Sequence, residues 1–434
     1  MVKTVKLIRQ IEAGEYDRAF ALLYGDDEIE VQRARYVEAA QAFGSLFGMD
    51  RDIYFFSAPG RIEIGGNHTD HNHGRVLAAS VNLDVIGVAS PSPESRVRIQ
   101  SKGFPMDTVE LGDLSVHEAD RNTSAALIRG LADRFAQNGW RIGGFDAYTT
   151  SNVLVGSGLS SSAAFEVLVG VILSHLFNNG GVDAVEIAKM AQYAENVHCG
   201  KPSGLMDQTT SSVGGIITID FVDSSAPVIR RVNYDFSGSG YKLCIVDTGG
   251  SHADLTLEYA AIPSEMKAVA SSLGVSVLRE TSMEMLMENL PALRAKLGDR
   301  AVLRAIHFLR ENERARQQVA ALESGDFGEF RRLVVESGHS SFEYLQNVYA
   351  SSYLQEQGLS LALCLAQGLL EERGAWRVHG GGFAGTTLNF VPEDLLDEFL
   401  REMECAFGKG SCHVLTIRPF GGVCLNALNT PTNA

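Results

Sequence analysis

Apolar runs at strand spacing alternate with stretches at helix spacing, which predicts an α+β fold, and a length of 434 residues predicts two domains. A third observation fits the fold class: at 153–169, VLVGSGLSSSAAFEVLV passes from a strand through a Gly/Ser turn into a helix. A single hydrophobic core stops growing well short of this length, so the chain divides. Ser, Asp, Gly and Pro accumulate over 225–240, which puts an amino-terminal domain at 1–230 and a carboxy-terminal domain at 231–434.

The first elements are helices at 8–24 and 30–48, where Ile8, Ile11, Tyr16, Phe20 and Leu23, then Ala39, Phe43 and Leu46, recur at helical intervals. They form a preface to the first sheet. Strands follow near 52–57, 76–90, 95–100 and 142–150, then the strand–turn–helix element up to 174. A helix over 183–197 is ended by Gly200 and Pro202. Strands at 215–221 and 241–247 lead across the domain boundary. The second domain is predicted to be helical over 253–272, 283–296, 299–323, 327–337 and 342–371. It closes with strands at 376–390 and 411–427 around a helix at 392–406.

With 45% hydrophobic and 21% charged residues, the composition is that of an ordinary globular protein. A formal charge of −16 speaks against a nucleic-acid partner, which needs clustered Lys and Arg. The six cysteines, at 199, 244, 364, 405, 412 and 424, form no CxxC pair and read as thiols in a reducing compartment. No HExxH or similar helical pair points to structural zinc. The opening MVKTVKLIRQIEAGEYDRAF lacks an apolar signal core, and no apolar run approaches a membrane span. We therefore expect a cytoplasmic protein with no membrane partner, and a monomer.

The strand–turn–helix element is a template for phosphate. Gly156 and Gly158 let the backbone approach an anion, and Ser160, Ser161 and Ser162 sit where the first free N–H groups of the helix point outward. No lysine follows as in a GxxxxGK loop, and no dinucleotide fingerprint opens a first strand, so phosphate is favoured over a dinucleotide. A second segment, APGRIEIGGNHTDHNHG at 58–74, packs four glycines, two carboxylates, one arginine and three histidines into seventeen residues. It lies between the strands predicted at 52–57 and 76–90; its bland reading is a wide turn whose Asp and Asn side chains cap their own backbone, yet a surface loop does not need that mixture.

These segments resemble motifs of the GHMP kinases, and within them the galactokinases, whose first motif reads APGRVNLIGEHTDYNGG. The family's phosphate loop is matched by 156–164, its GxMDQ segment by 204–208, and its third, glycine-rich motif by 380–385. GDFGEFRRLVVESGHSS at 325–341 is similar to the family's GDxxxFGxLMxxSHxSL. The resemblance implies the GHMP-kinase fold: an N-terminal domain like the second domain of ribosomal protein S5, a C-terminal α+β domain, and an active site between them. It also implies phosphorylation of a sugar partner, galactose, at the C1 hydroxyl, with ATP and Mg²⁺ as cofactors.

Phosphoryl transfer needs an aligned acceptor oxygen and compensation of the charge on the phosphoryl oxygens. By the resemblance, Arg61 and Asp207 take the catalytic places. An arginine stays charged at any working pH and can hold a carboxylate and a phosphoryl group together. It also lowers the pKa of that carboxylate, so Asp207 orients the hydroxyl and accepts its proton late, its strength as a base being left open. Gly156, Gly158, Ser160, Ser161 and Ser162 are assigned to the nucleotide phosphates. One serine hydroxyl faces Mg²⁺; Ser162 is the candidate, and Glu195 is either its acidic partner or a solvated helix-face residue. Glu166 is set aside as too far into the preceding helix.

Asn67, His68, Asp70, Gly204 and Tyr259 are assigned to the sugar. Here the chain departs from the family. Asn67 stands where galactokinases carry Glu, and Glu63 stands where they carry Asn. A carboxylate only accepts hydrogen bonds, whereas an amide also donates, so the sugar pocket differs at this end. Ala384 replaces a glycine, a change that is tolerable only where no positive φ is needed, and Thr386 replaces a cysteine. The alternatives are the same transfer to another aldose (an N-acetylhexosamine, an L-arabinose-like pentose or a uronic acid) or a non-catalytic sugar and ATP sensor. Retention of Arg61, Asp207 and the serines favours the enzyme.

Overall fold

Two sheets, each backed by helices, organise the chain in a computed structural model that describes residues 2–153, 158–201, 203–250 and 255–429. The amino-terminal half lays down β1 (Val2–Lys3), β2 (Asp52–Gly65), β3 (Arg75–Pro91), β4 (Arg96–Ser101), β5 (Met106–Glu110), β6 (Phe145–Ser151), β7 (Ile216–Asp220) and β8 (Val228–Arg231). Then come β9 (Tyr241–Asp247), β10 (Ala375–Val378), β11 (Thr386–Pro392), β12 (Cys412–Leu415) and β13 (Val423–Cys424).

The larger sheet runs β1-β2-β3-β6-β4-β5, with β7 joining β3 to β8 and β13 joining β2. Only its β4/β6 pair is parallel. The smaller sheet, β10-β11-β9-β12, is antiparallel throughout. The last strand therefore returns from the carboxy-terminal half, Val423 facing Ser57 and Cys424 facing Phe56 across the β2 edge.

Successive side chains of a strand point to opposite faces, and β2 is buried on both. Phe55 packs under the amino-terminal helices Thr4–Glu12, Asp17–Tyr24 and Ile29–Phe47, with Leu7, Ile11, Phe20, Tyr36 and Phe43. Phe56, Ala58, Ile62 and Ile64 join the main core, with Val167, Leu168 and Ile172 of the helix Ser161–Asn178. Contrary to the expectation that no apolar run approaches a membrane span, that helix is long and apolar enough to cross a bilayer, and here its apolar residues fill the core against the sheet.

This two-sided burial corrects the strand end predicted near 57 and the wide-turn reading of 58–65. The alternating Ile62 and Ile64 keep the segment extended as far as Gly65, and only 66–74 turns. The β2/β3 register shifts between Pro59 and Arg61 and again between Glu63 and Gly65. Such irregularities re-aim side chains, here on the two residues that carry charge. Other elements differ too. Helices Ser124–Gln137 and Met206–Val213 and the strand β5 lie where no element was predicted. The helix predicted over 342–371 is interrupted after Leu345, where Gln346 adopts φ 58°, and a helix resumes at Gly358. The strand predicted at 376–390 is a hairpin, β10 and β11, with the glycine motif as its turn.

Candidate active site

The irregularities in β2 deliver Arg61 and Glu63 to a cavity of about 370 Å³ between the two halves. The turn 66–74 supplies His68 and Asp70, the start of the helix Met206–Val213 supplies Asp207, and the β10/β11 turn supplies Gly380 and Gly381. Larger cavities exist, one of about 600 Å³ beside Trp376 with as many charged side chains, but it is the smaller one that brings Arg61 and Asp207 together. Chemistry, not size, selects the site.

Arg61 and Asp207, 146 positions apart, form a bidentate pair: Nε donates to Oδ1 at 2.7 Å and Nη2 to Oδ2 at 2.7 Å. Arg61 Nη1 donates to the carbonyl of Gly158, tying the pair to the phosphate segment. Ser160 adopts φ 58° and turns its hydroxyl to Asp207, Oγ to Oδ2 at 2.7 Å. It therefore does not cap the helix that starts at Ser161, whose first amides stay available to an anion. Burial pushes the Asp207 carboxyl up, but the Arg61 charge, its hydrogen bonds and the Ser160 hydroxyl outweigh burial and hold it below its ordinary value. Gly156 lies outside the described residues.

Glu195 is not a solvated helix-face residue: it is buried in the last, widened turn after the helix Ala184–Tyr193. Its Oε1 accepts from Lys201 Nζ at 2.6 Å and lies 3.4 Å from Ser162 Oγ. Gln208, the last residue of GxMDQ, bridges Glu195 and Glu166 through Nε2, at 2.8 and 3.1 Å. Glu166, set aside on sequence, is thus brought beside Glu195. Burial first, then the Glu195 charge, raises its pKa well above the carboxylate range. Its Oε1 is buried with no hydrogen-bond partner among the described residues. Ser162, Glu195 and this orphaned oxygen are hard donors that fit a divalent cation such as Mg²⁺.

At the other end of the cavity, Asp70 Oδ1 accepts from the His71 amide at 2.9 Å, and Oδ2 lies where a β-carbon on Gly204 would collide with it. Glycine at 204 is therefore a steric requirement of Asp70. His68 adopts φ 56°, and its Nε2 is 3.0 Å from the Gly381 carbonyl. Since a carbonyl can only accept, Nε2 carries the hydrogen and Nδ1 is left as an acceptor. Burial, then the neighbouring His71, pushes the His68 pKa down to about 4, so the ring is neutral. The Tyr259 hydroxyl donates to the Gly382 carbonyl at 2.7 Å, and its ring stands edge-on to Phe383. A β-carbon at Gly381 would sit 2.6 Å from the Tyr259 ring, which explains the glycine run. Gly380, Gly382, Phe383 and Gly385 take the positive φ values of this turn and Ala384 does not, so the alanine is accommodated.

Asn67 lines the same cavity, but its side chain is wholly engaged. Nδ2 donates to Glu63 Oε1 at 2.8 Å and to the Gly380 carbonyl at 2.7 Å; Oδ1 accepts from Asn347 Nδ2 at 2.8 Å and Ser341 Oγ at 3.3 Å. Glu63 Oε1 also accepts from the buried Arg377 at 3.1 Å. Burial pushes the Glu63 carboxyl up to about 7 against the pull of Arg377 and Asn67. Sequence reasoning assigned no role to Lys201, Gln208 or Arg377. The GxMDQ glutamine was visible in the motif, but the other two become relevant only through folding.

A galactokinase galactose-binding signature matches residues 41–91, and the GHMP kinases N-terminal domain matches 126–215. A galactokinase from Streptomyces coelicolor is 32% identical over 372 residues, covering 85% of this chain and 92% of its own. The crystal structure of Lactococcus lactis galactokinase complexed with galactose matches with a TM-score of 0.74 at 25% identity, over 88% of this chain and 98% of that one. The mevalonate kinase of Methanococcus jannaschii, at 14% identity and a TM-score of 0.61 over 85% of this chain and 98% of that one, shares the fold. With its α+β GHMP-kinase fold and the Arg61–Asp207 pair between its two halves, the chain belongs to the galactokinase family of the GHMP kinases, as a divergent member built for phosphotransfer to a sugar.

Proposed function

We propose that the protein transfers the γ-phosphoryl group of ATP to the C1 hydroxyl of galactose, giving galactose 1-phosphate and ADP. The observation that carries this reading is the placement of Asp207, held by Arg61 and Ser160 in a cavity whose far end offers His68, Asp70 and Glu63. The lowered pKa keeps Asp207 ionised at neutral pH, so it accepts a hydrogen bond from the attacking hydroxyl and aligns it. The same effect makes it a weak base, and the proton passes to it late, as the new O–P bond forms. Arg61 engages Nε, Nη1 and Nη2 once each, and its remaining N–H groups are donors for the charge that grows on the transferred group.

The amides at the start of the helix Ser161–Asn178, with Gly156, Gly158 and the serines, bind the nucleotide phosphates. Ser162 and Glu195 would hold Mg²⁺, which when bound would supply charge neutralisation to the phosphate oxygens. Lys201, now on Glu195, turns to the same phosphates. The enzyme acts as a cytoplasmic monomer. The exchange of residues at 63 and 67 favours a second reading, the same transfer to another aldose.

The test is a coupled ADP-release assay over free sugars, with proton NMR of the product. Turnover of D-galactose with phosphate on the anomeric carbon is expected. ADP release with another aldose but not galactose would move the reading to that sugar, and release with no sugar would overturn it.

A further inference from the structure

We propose that Glu63 is the carboxylate that accepts a sugar hydroxyl in this cavity, and that Asn67 is a positioning residue that locks Glu63 and the two halves of the protein together. The assignment rests on the sugar-kinase reading above and narrows its substrate to a neutral aldose with a hydroxyl at this end.

An asparagine side chain offers two N–H donors and two acceptor lone pairs. All four are engaged in Asn67, with Glu63, Gly380, Asn347 and Ser341, and the side chain is fully buried. It has nothing left for a ligand. Its neighbour does. Glu63 Oε1 takes both Asn67 and Arg377, whereas Oε2 has no hydrogen-bond partner among the described residues, and Glu63 lines the cavity. An unpartnered carboxylate oxygen that opens onto a cavity accepts from whatever donor enters it, and a sugar hydroxyl is one. In its ionised form Glu63, together with Asp70, repels a sugar carboxylate placed at this end, which counts against the uronic acids.

The galactokinase motif carries the amide at 63 and the carboxylate at 67, so the two groups have changed places, and in this chain they are bonded to each other. The exchange is therefore coupled. A glutamate at 67 alone would set one acceptor-only group against Glu63 Oε1 and the Gly380 carbonyl, with no donor between them. Changing 63 to asparagine at the same time restores a donor.

The experiment uses the full-length enzyme with D-galactose and D-galacturonate as probes. In Glu63→Gln, the KM for D-galactose is expected to rise about tenfold, the scale of one lost hydrogen bond to a charged group, more than kcat falls, with D-galacturonate discriminated against less strongly. Thermal unfolding of Asn67→Glu is expected well below wild type, and the double variant Glu63→Asn/Asn67→Glu is expected to recover most of the loss. An unchanged KM in Glu63→Gln overturns the sugar contact, and equal losses in the single and double variants overturn the coupling. A wild type that releases ADP with no sugar overturns the kinase reading and this assignment together, whereas an active wild type with an indifferent Glu63→Gln overturns the assignment alone.

Discussion

The two ends of the cavity are built differently. At the sugar end, successive groups of the turn are engaged by the carboxy-terminal half: the Gly66 amide by Glu311 at 3.0 Å, the Asn67 side chain by Gly380 and Asn347, the Asn67 carbonyl by His307 at 3.0 Å, and His68 by Gly381. At the phosphate end, the helix start is left uncapped by Ser160, and Glu166 Oε1 and Gln208 Oε1 are buried with no partner among the described residues. Folding holds the turn at the first end and leaves Glu63 Oε2 open for a neutral donor; the second end keeps buried polar capacity for a charged ligand. The Arg61–Asp207 pair sits where the two meet, which on the proposed reading is where a sugar oxygen meets a phosphorus atom.

The contrast can be broken first at that junction. Asp207→Asn keeps the size of the side chain but removes the proton acceptor and the charge that Arg61 holds. A loss of kcat on the order of 10³-fold is expected, with ATP affinity by calorimetry changed only a few-fold. Near-normal turnover would remove Asp207 from its role.

The sugar end should reveal itself through acid sensitivity. Burial raises the Glu311 carboxyl, but Arg314, His307, Arg377 and Ser337 together hold it down at about 2, against an ordinary 4.5. A depressed carboxylate stabilises the fold above its unfolded pKa, and this contribution, on the order of 3 kcal/mol, is lost as pH falls from about 4.5 through about 2. Denaturant unfolding between pH 5 and 2 should show the slope, and Glu311→Gln should flatten it. An identical slope in the variant would assign the acid sensitivity elsewhere.

Smaller losses should mark the reach of the guanidinium. Arg61→Lys keeps the charge but gives up the bidentate fork and the tie to Gly158, and kcat should fall about 10²-fold. A loss of sugar affinity without loss of kcat would mean that the fork only holds the two segments together. At the phosphate end, Ser161→Ala should weaken nucleotide binding about fivefold and leave sugar binding alone, as one hydrogen bond is removed from one end only. Equal losses for both ligands would erase the distinction between the ends.

Much of this was legible in the chain. The α+β class, the helical preface and the contributing segments follow from periodicity and motif, because amphipathic spacing and glycine turns are local properties. The course of β2 through 58–65 was not, since its alternation of Ile62 and Ile64 is masked by glycines and charges, and only the layers on both faces make it a strand. The helix Met206–Val213 was missed because its eight residues carry only a short apolar pattern. Tertiary contacts decided the remaining roles. Asn67 looked like a sugar ligand because its neighbours His68 and Asp70 do, and nothing local shows that Gly380, Ser341 and Asn347 reach it first. Glu166 and Glu195 are 29 positions apart and meet only through Gln208.

The most direct test of the central claim is a crystal structure of the protein with D-galactose and a non-hydrolysable ATP analogue. The account predicts the C1 oxygen within hydrogen-bond distance of Asp207 and Arg61, with the γ-phosphate in line behind it and the phosphates on the helix start at Ser161. Galactose bound with a different hydroxyl at Asp207, or bound away from the Arg61–Asp207 pair altogether, would contradict it.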